Sequence, residues 1–315
     1  MAKLISFFGS RVEKTIRSWP SSTKEAICHY LDLCAQNINS DERLNARMTD
    51  QPYWILLPLW LAERLSPGKR HTFSKRFMDD ILWAQYCLFV FIRMQDDLFD
   101  RHTQSLPLIY AADGFLLEAN RVFLQYFPSA SPFWGIYRTS IGETIFAVAD
   151  ADEMHRGLKR NNARLLSQYG KTSSICNVAS AAVCLKAGKP GIFSRVTLFS
   201  REFMMTGAIL DDLIDMQEDV VRGRFNYAAS YFLPRNTILS EKKKNLLWIQ
   251  RNFQDEERFS GLFREMYRHL DLAEKTLSSF MVPSAKEYIR LYRRVLHRKE
   301  DFMHWQKTNR ILKDE

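Results

Sequence analysis

FSREFMMTGAILDDLIDMQEDVVRGRFNY, residues 199–227, places five carboxylates between Asp211 and Asp219. Asp211, Asp215 and Asp219 recur at i, i+4 and i+8, so they lie along one face of a helix. Asp212 and Glu218 point elsewhere. The lead-in, Met204 to Leu210, is apolar apart from Thr206 and Gly207, as a buried helix would be. A row of like charges repels itself, and Asp is a poor helix former. Such a face calls for a cation.

A second stretch poses the same problem. DILWAQYCLFVFIRMQDDLFD, residues 80–100, is an apolar helix ending in Asp96, Asp97 and Asp100. Asp96 and Asp100 are i, i+4, with Asp97 beside them. At a helix C-terminus the macrodipole makes negative charge less welcome still. Mg²⁺ is the natural compensator, being hard, oxygen-seeking and able to bridge carboxylates to substrate phosphates. A lone DDxxD can be a solvated helix end; two in one helical chain point to joint metal binding. Asp79-Asp80 lacks a third carboxylate and reads as a helix-face acid.

Outward from these motifs, glycine and proline are scarce, 12 and 10 in 315 residues. They gather near 67–68, 129–135, 188–191, 233–234 and 282–283. Between them the pattern is helical, with no alternating stretch that reads as a strand. Helices are expected at about 5–19, 23–38, 53–65, 73–99, 107–126, 133–156, 161–186, 191–221, 241–252, 255–281 and 284–311. The fold class is all-α, one helical domain spanning 1–315 with about ten helices.

A net charge of +9 favours an anionic partner. With no Lys/Arg-rich tail and no nucleic-acid motif, nucleic acid is not expected. The longest apolar stretch, Ile81 to Ile92, is interrupted by Gln85 and is shorter than the ~20 residues of a membrane span. The N-terminal apolar run is too short for a signal peptide. Five cysteines, at 28, 34, 87, 176 and 184, form no CxxC pair. They read as reduced thiols, and a cytoplasmic protein with no transmembrane segment is expected. ExxH pairs, HExxH, GxGxxG and Walker patterns are absent, so di-iron, zinc-hydrolase and nucleotide-loop chemistries fit poorly.

The paired Asp motifs resemble those of the class I isoprenoid synthases, which include trans-prenyl diphosphate synthases, squalene/phytoene-type synthases and terpene cyclases. The resemblance extends over about residues 68–300. It implies a helical bundle around a central cavity, with three Mg²⁺ at its mouth and a prenyl diphosphate clamped between the clusters. A homodimer is also common among such enzymes. The metal ligands would be Asp96, Asp97, Asp100, Asp211, Asp215 and Asp219, with Asp96, Asp97, Asp211 and Arg164 catalytic. Arg164, Lys171, Arg222, Arg224, Arg293 and Arg294 would hold the diphosphate, Arg164 as its sensor. For each single arginine the plain alternative is a solvated helix face.

The second motif has two readings. Asp211/Asp212/Asp215 is the elongase DDxxD, while Asp211/Asp215/Asp219 fits the cyclase pattern in register, with Arg222-Gly223 following as it often does in cyclases. Gly68-Lys69-Arg70 matches only part of the elongase segment that holds isopentenyl diphosphate. The arginine pair expected after the first motif is reduced to Arg101-His102, although Lys171-Thr172 resembles the elongase KT. With those second-diphosphate ligands missing, the resemblance favours a terpene synthase that ionises farnesyl or geranylgeranyl diphosphate. The alternatives are a trans-prenyltransferase, chain-elongating or head-to-head, and more remotely a helical protein that binds prenyl diphosphate without turnover. Phe89, Phe91 and Phe203 would line a cavity for a carbocation, although such residues are more often plain core. Gly207 would let substrate approach the backbone.

Overall fold

A computed structural model describes residues 2–40, 52–66, 73–99, 105–156, 162–234, 237–253, 255–278 and 282–311. Among the described residues every regular element is helical. In chain order they are α1 (Ala2–Ile16), α2 (Ser21–Ser40), α3 (Tyr53–Leu65), α4 (Lys75–Phe99), α5 (Pro107–Leu124), α6 (Phe133–His155), α7 (Asn162–Thr172), α8 (Val178–Lys186), α9 (Phe193–Arg222), α10 (Ala229–Phe232), α11 (Lys242–Asn252), α12 (Glu256–Leu277) and α13 (Pro283–Ile311). The all-α expectation is met, and most boundaries fall within a few residues of those read from the sequence.

One expected helix, 161–186, is divided. Between α7 and α8 the chain tightens into a 3₁₀ turn, Ser173–Asn177. The cause is local. Thr172 Oγ1 donates to the Tyr169 carbonyl at 2.7 Å and Ser173 Oγ to the Gly170 carbonyl at 2.6 Å. Hydroxyls that bond back to carbonyls three residues earlier compete with the α-helical ladder.

The chain divides into two compact units, each drawn from three separated stretches. Unit 1 takes 1–140, 175–193 and 280–291; unit 2 takes 141–174, 194–279 and 292–315. In unit 1, α4 packs along α5. Trp83, Tyr86 and Phe8 form one aromatic knot, with ring centroids 4.8–5.7 Å apart. Gln85, the residue that interrupts the longest apolar run, is fully buried in α4. Its Oε1 accepts from the Ala179 N–H at 2.9 Å and its Nε2 donates to the Ile175 carbonyl at 3.1 Å. Ala179 lies in the first turn of α8, where N–H groups have no partner within the helix, and Asn177 makes no side-chain cap there. Gln85 supplies that cap from α4.

In unit 2, α9 is two-faced. Ile209, Leu213, Met216 and Val220 are buried, while Asp211 and Asp215 are exposed. The apolar face joins a core with Phe259, Leu262, Phe263 and Met266 of α12. Asp255 caps α12, accepting from the Glu257 and Arg258 N–H groups. Gly223, at φ +77°, ends α9. Its N–H bonds to the Val220 carbonyl at 3.0 Å and the Arg224 N–H to the Asp219 carbonyl at 2.8 Å, the paired closing bonds of a left-handed glycine cap.

Replacing Gln85 by Leu leaves the Ala179 N–H and the Ile175 carbonyl without their partner. Urea unfolding of Gln85→Leu is expected to show a loss of about 1–3 kcal/mol with an unchanged m-value.

Candidate active site

The first Asp cluster closes α4 in unit 1. Asp97 is 6% exposed. Its Oδ2 accepts from the Tyr30 hydroxyl at 2.6 Å, and its Oδ1 lies 2.8 Å from Nη2 of Arg93. The other end of the same guanidinium, Nη1, is 3.2 Å from Oδ2 of Asp96. One arginine, a turn earlier in the same helix, thus spans both carboxylates. Asp96 is more open than Asp97, its side chain 37% exposed. Asp100 lies outside the described residues, as do Gly68-Lys69-Arg70 and Arg101-His102.

The second cluster closes α9 in unit 2, and its aspartates face two ways. Asp212 turns inward. Its Oδ2 accepts from the Tyr169 hydroxyl at 2.7 Å and from the Tyr227 N–H at 2.6 Å. Burial pushes the Asp212 carboxyl up to about 8, against the pull of those two hydrogen bonds. Tyr169, itself buried beside Asp212, is held well above the ordinary phenol range, and its hydroxyl is 3.2 Å from Nε2 of His155. Asp211 and Asp215 lie on the exposed face. Asp219 is tied into the turn that follows: Asn226 Nδ2 donates to its Oδ2 at 2.8 Å and to the Asp212 carbonyl at 2.9 Å. Asn226 is fully buried, and its Oδ1 accepts from the Ala229 N–H at 2.8 Å.

Tyr30, Arg93, Tyr169 and Asn226 were not singled out by the sequence. Arg93 stands three and four residues before Asp96 and Asp97, a spacing that predicts pairing. The other three act across the fold and leave no local signal.

The donor set is uniformly carboxylate oxygen, which suits Mg²⁺ better than zinc or iron. Among the described residues no three His, Cys, Asp or Glu side chains converge on a preformed site.

The expected diphosphate holders have partners of their own. Arg164 makes a bidentate pair with Asp150, Nε to Oδ2 at 2.9 Å and Nη2 to Oδ1. Arg222 pairs with Glu218 one turn back in α9. Arg293 reaches Asp271 at 2.7 Å and Glu274 at 3.0 Å. Arg294 is exposed. Lys171, in the last turn of α7, has no ion-pair partner among the described residues. Arg224 directly follows the glycine cap, its N–H closing α9.

The expected cavity aromatics are packed. Phe89 stacks on Trp54 with centroids 4.4 Å apart, Phe91 is 5% exposed, and Phe203 meets Tyr292 at 4.6 Å. The space that a side chain at Gly207 would enter is bounded by the Tyr292 hydroxyl at 3.5 Å. Cys87, Cys176 and Cys184 are buried free thiols and Cys28 is an exposed one; Cys34 lies outside the described side chains. Burial raises the buried thiols, Cys176 and Cys184 to about 12, which makes them inert.

No protein-family model matches the chain, and no curated protein matches it in sequence. Solved structures do. The chain superposes on a geranylgeranyl pyrophosphate synthetase from the archaeon Geoglobus acetivorans with a TM-score of 0.65 at 14% identity, over 92% of this chain and 97% of that one. The fold is that of the class I isoprenoid synthases. A geranylgeranyl pyrophosphate synthase from Corynebacterium glutamicum gives 0.63 at 15% identity, over 88% and 93% of the two chains. A polyprenyl synthase from Roseobacter denitrificans gives 0.62 at 11% identity, over 89% and 100%. The isoprenoid synthase likeness expected from the motifs is therefore present in the fold. These three structures are described as geranylgeranyl pyrophosphate or polyprenyl synthases, so they stand nearer to the condensing alternative than to the cyclase reading favoured by the motifs.

Asp212→Asn keeps an oxygen that accepts from both Tyr169 and Tyr227. It is expected to stay within about 1 kcal/mol of the parent in urea unfolding, whereas Asp212→Ala, which orphans both donors, loses about 2–4 kcal/mol.

Proposed function

We propose that this protein is a Mg²⁺-dependent trans-prenyltransferase, which ionises an allylic prenyl diphosphate and joins its chain to a second prenyl diphosphate. The supporting observation is the pair of aspartate-bearing helix ends, on α4 and α9, within the fold of prenyl diphosphate synthases. Asp96, Asp97 and Asp100 on one helix and Asp211, Asp215 and Asp219 on the other supply the metal oxygens, for three ions in all. When bound, Mg²⁺ supplies Lewis-acid withdrawal of the diphosphate from the allylic carbon.

The chain's own residues prepare that step. Tyr30 and Arg93 fix the Asp97 carboxylate. Tyr169 and the Tyr227 N–H hold Asp212 inward, which leaves Asp211, Asp215 and Asp219 as the ligand face. Asp212 is then a positioning residue, and the triad Asp211/Asp215/Asp219 carries the metal. Arg164, Lys171, Arg222, Arg224, Arg293 and Arg294 are the cations proposed to receive the diphosphate. The Arg164 and Arg293 side chains are part-exposed, 44% and 36%, and ion pairs open to water contribute only ~0–1 kcal/mol, so both arginines are within reach of a competing anion. The protein is proposed to act as one catalytic domain in the cytoplasm, with no nucleic-acid partner, and to be able to form a homodimer. No described helix is long and apolar enough to cross a membrane.

The second reading is a terpene synthase with a single substrate. It is favoured by Arg101-His102 standing where an arginine pair would serve a second diphosphate. A binder without turnover is a third reading. Incubation with C10, C15 and C20 diphosphates, with and without isopentenyl diphosphate, followed by mass analysis, separates the three. The expected product has more carbons than its allylic substrate, formed with isopentenyl diphosphate in chain elongation or from two prenyl chains in head-to-head joining. A hydrocarbon or alcohol with the same carbon number as its single substrate would establish the terpene synthase instead, and no diphosphate release would establish the binder. Asp96→Ala and Asp211→Ala are each expected to cut Mg²⁺-dependent diphosphate release at least about 100-fold, a loss of about 2.7 kcal/mol in transition-state stabilisation. Asp212→Asn is expected to keep most of it. Loss in Asp212→Asn with retention in Asp219→Asn would move the metal to the Asp211/Asp212/Asp215 triad.

A further inference from the structure

Unit 1 carries an open cavity of about 690 Å³ between α1, the N-terminal half of α4, and α5. Asp80, in its wall, precedes Asp96 by roughly sixteen residues of α4, or ~24 Å of helix rise. The cavity is therefore separate from the first Asp cluster. Its size is that of a small-molecule site.

Its charges do not balance. Arg11, Lys14, Arg76 and Arg121 line it against only Asp80 and Glu118, and both acids are already satisfied. Glu118 accepts from Arg121 Nε and Nη2 at 2.7 Å each and from the Trp83 indole N–H at 2.9 Å. Asp80 pairs with Arg11 at 2.9 Å and accepts from the Tyr126 hydroxyl at 2.6 Å. That leaves two cations at the rim with little internal compensation. Arg76 is 85% exposed, its Nε 3.8 Å from Asp80. Lys14 is exposed and has no ion-pair partner among the described residues.

The apolar wall is built as deliberately. Trp19 lies edge-on to Phe115 at 5.5 Å and directly over Gly114 of α5, where an added Cβ would overlap the indole. A glycine inside a helix costs about 1 kcal/mol relative to alanine. Here it makes the room in which Trp19 forms one side of the cavity.

We propose that this cavity is a second, metal-independent site for a small organic phosphate or diphosphate, its anionic end on Lys14 and Arg76 and its flat or apolar body against Trp19. The two cations offer charge-assisted hydrogen bonds that bind phosphate oxygens strongly, and the indole offers a face for a base or a prenyl chain. A nucleotide and a prenyl diphosphate share this chemistry.

The test is calorimetric titration of the full chain in EDTA with three probes: inorganic diphosphate, ADP and farnesyl diphosphate. EDTA withholds the metal on which diphosphate binding at the Asp clusters depends. One organic probe is expected to bind one-to-one with a Kd below about 1 mM, and more tightly than inorganic diphosphate. The rim variant Lys14→Glu/Arg76→Glu is expected to weaken it at least about tenfold, and the milder Lys14→Gln/Arg76→Gln in the same direction. Trp19→Ala is expected to erase the advantage of the organic probe. Asp96→Ala/Asp211→Ala should leave this binding unchanged, so its success or failure is independent of the proposed prenyl transfer. A preference for ADP assigns the wall to a planar base and a preference for farnesyl diphosphate to an aliphatic chain; either supports the site. The proposal is overturned by no binding of any probe, by binding that the rim variants do not change, by binding lost in Asp96→Ala/Asp211→Ala, or by inorganic diphosphate binding as tightly as the organic probes.

Discussion

Placing carboxylates at the end of a buried helix is the constraint that shapes both Asp-bearing regions. A charge withdrawn from water must be met by a counter-charge or by hydrogen bonds. The two helices answer differently. At the end of α4 the answer is ionic: Arg93 spans Asp96 and Asp97, and Tyr30 completes Asp97. For the inward aspartate of α9 it is built from neutral groups. Tyr169, the Tyr227 N–H and Asn226 surround Asp212 and the turn behind it, and burial raises that carboxyl far enough to favour its neutral form near neutral pH. The arginine at α4 is therefore a built-in competitor for any metal that binds there. No such competitor is built into the inward contacts of Asp212.

Much of this was legible in the sequence. Scarce glycine and proline marked the ends of long helices, and the i, i+4 aspartates marked the faces that needed compensation. The apolar lead-ins gave those helices buried positions, as the core of α9 bears out. What stayed illegible was mainly long-range. Tyr30 meets Asp97 across 67 positions and Tyr169 meets Asp212 across 43, distances at which no periodicity operates. Gln85 looked like a flaw in an apolar run, yet it caps a helix 94 positions away. Asp80 read as a helix-face acid; it is partly buried and shared by Arg11 and Tyr126. Arg222-Gly223 read as a family register, and in the structure Gly223 has a plain mechanical reason, since only glycine enters its left-handed conformation readily.

An identity of 14% over 92% of the chain shows how little sequence the architecture demands. Helix lengths, breaks and the apolar face of each helix suffice to keep it, while the chemistry rests on a handful of polar side chains that the fold only positions.

The 3₁₀ turn between α7 and α8 acts as a phase shifter. An α-helix advances about 100° per residue and a 3₁₀ helix about 120°, so the five residues Ser173–Asn177 add roughly 100° to the rotation that an unbroken helix would have made. An uninterrupted helix would carry one stripe of side chains along its whole length. On the near side, α7 keeps a wet face with Leu165, Leu166 and Tyr169 turned inward; on the far side, every residue from Val178 to Cys184 is buried. Two hydroxyls, those of Thr172 and Ser173, thus mark the point where a helix with one wet face gives way to one buried all round.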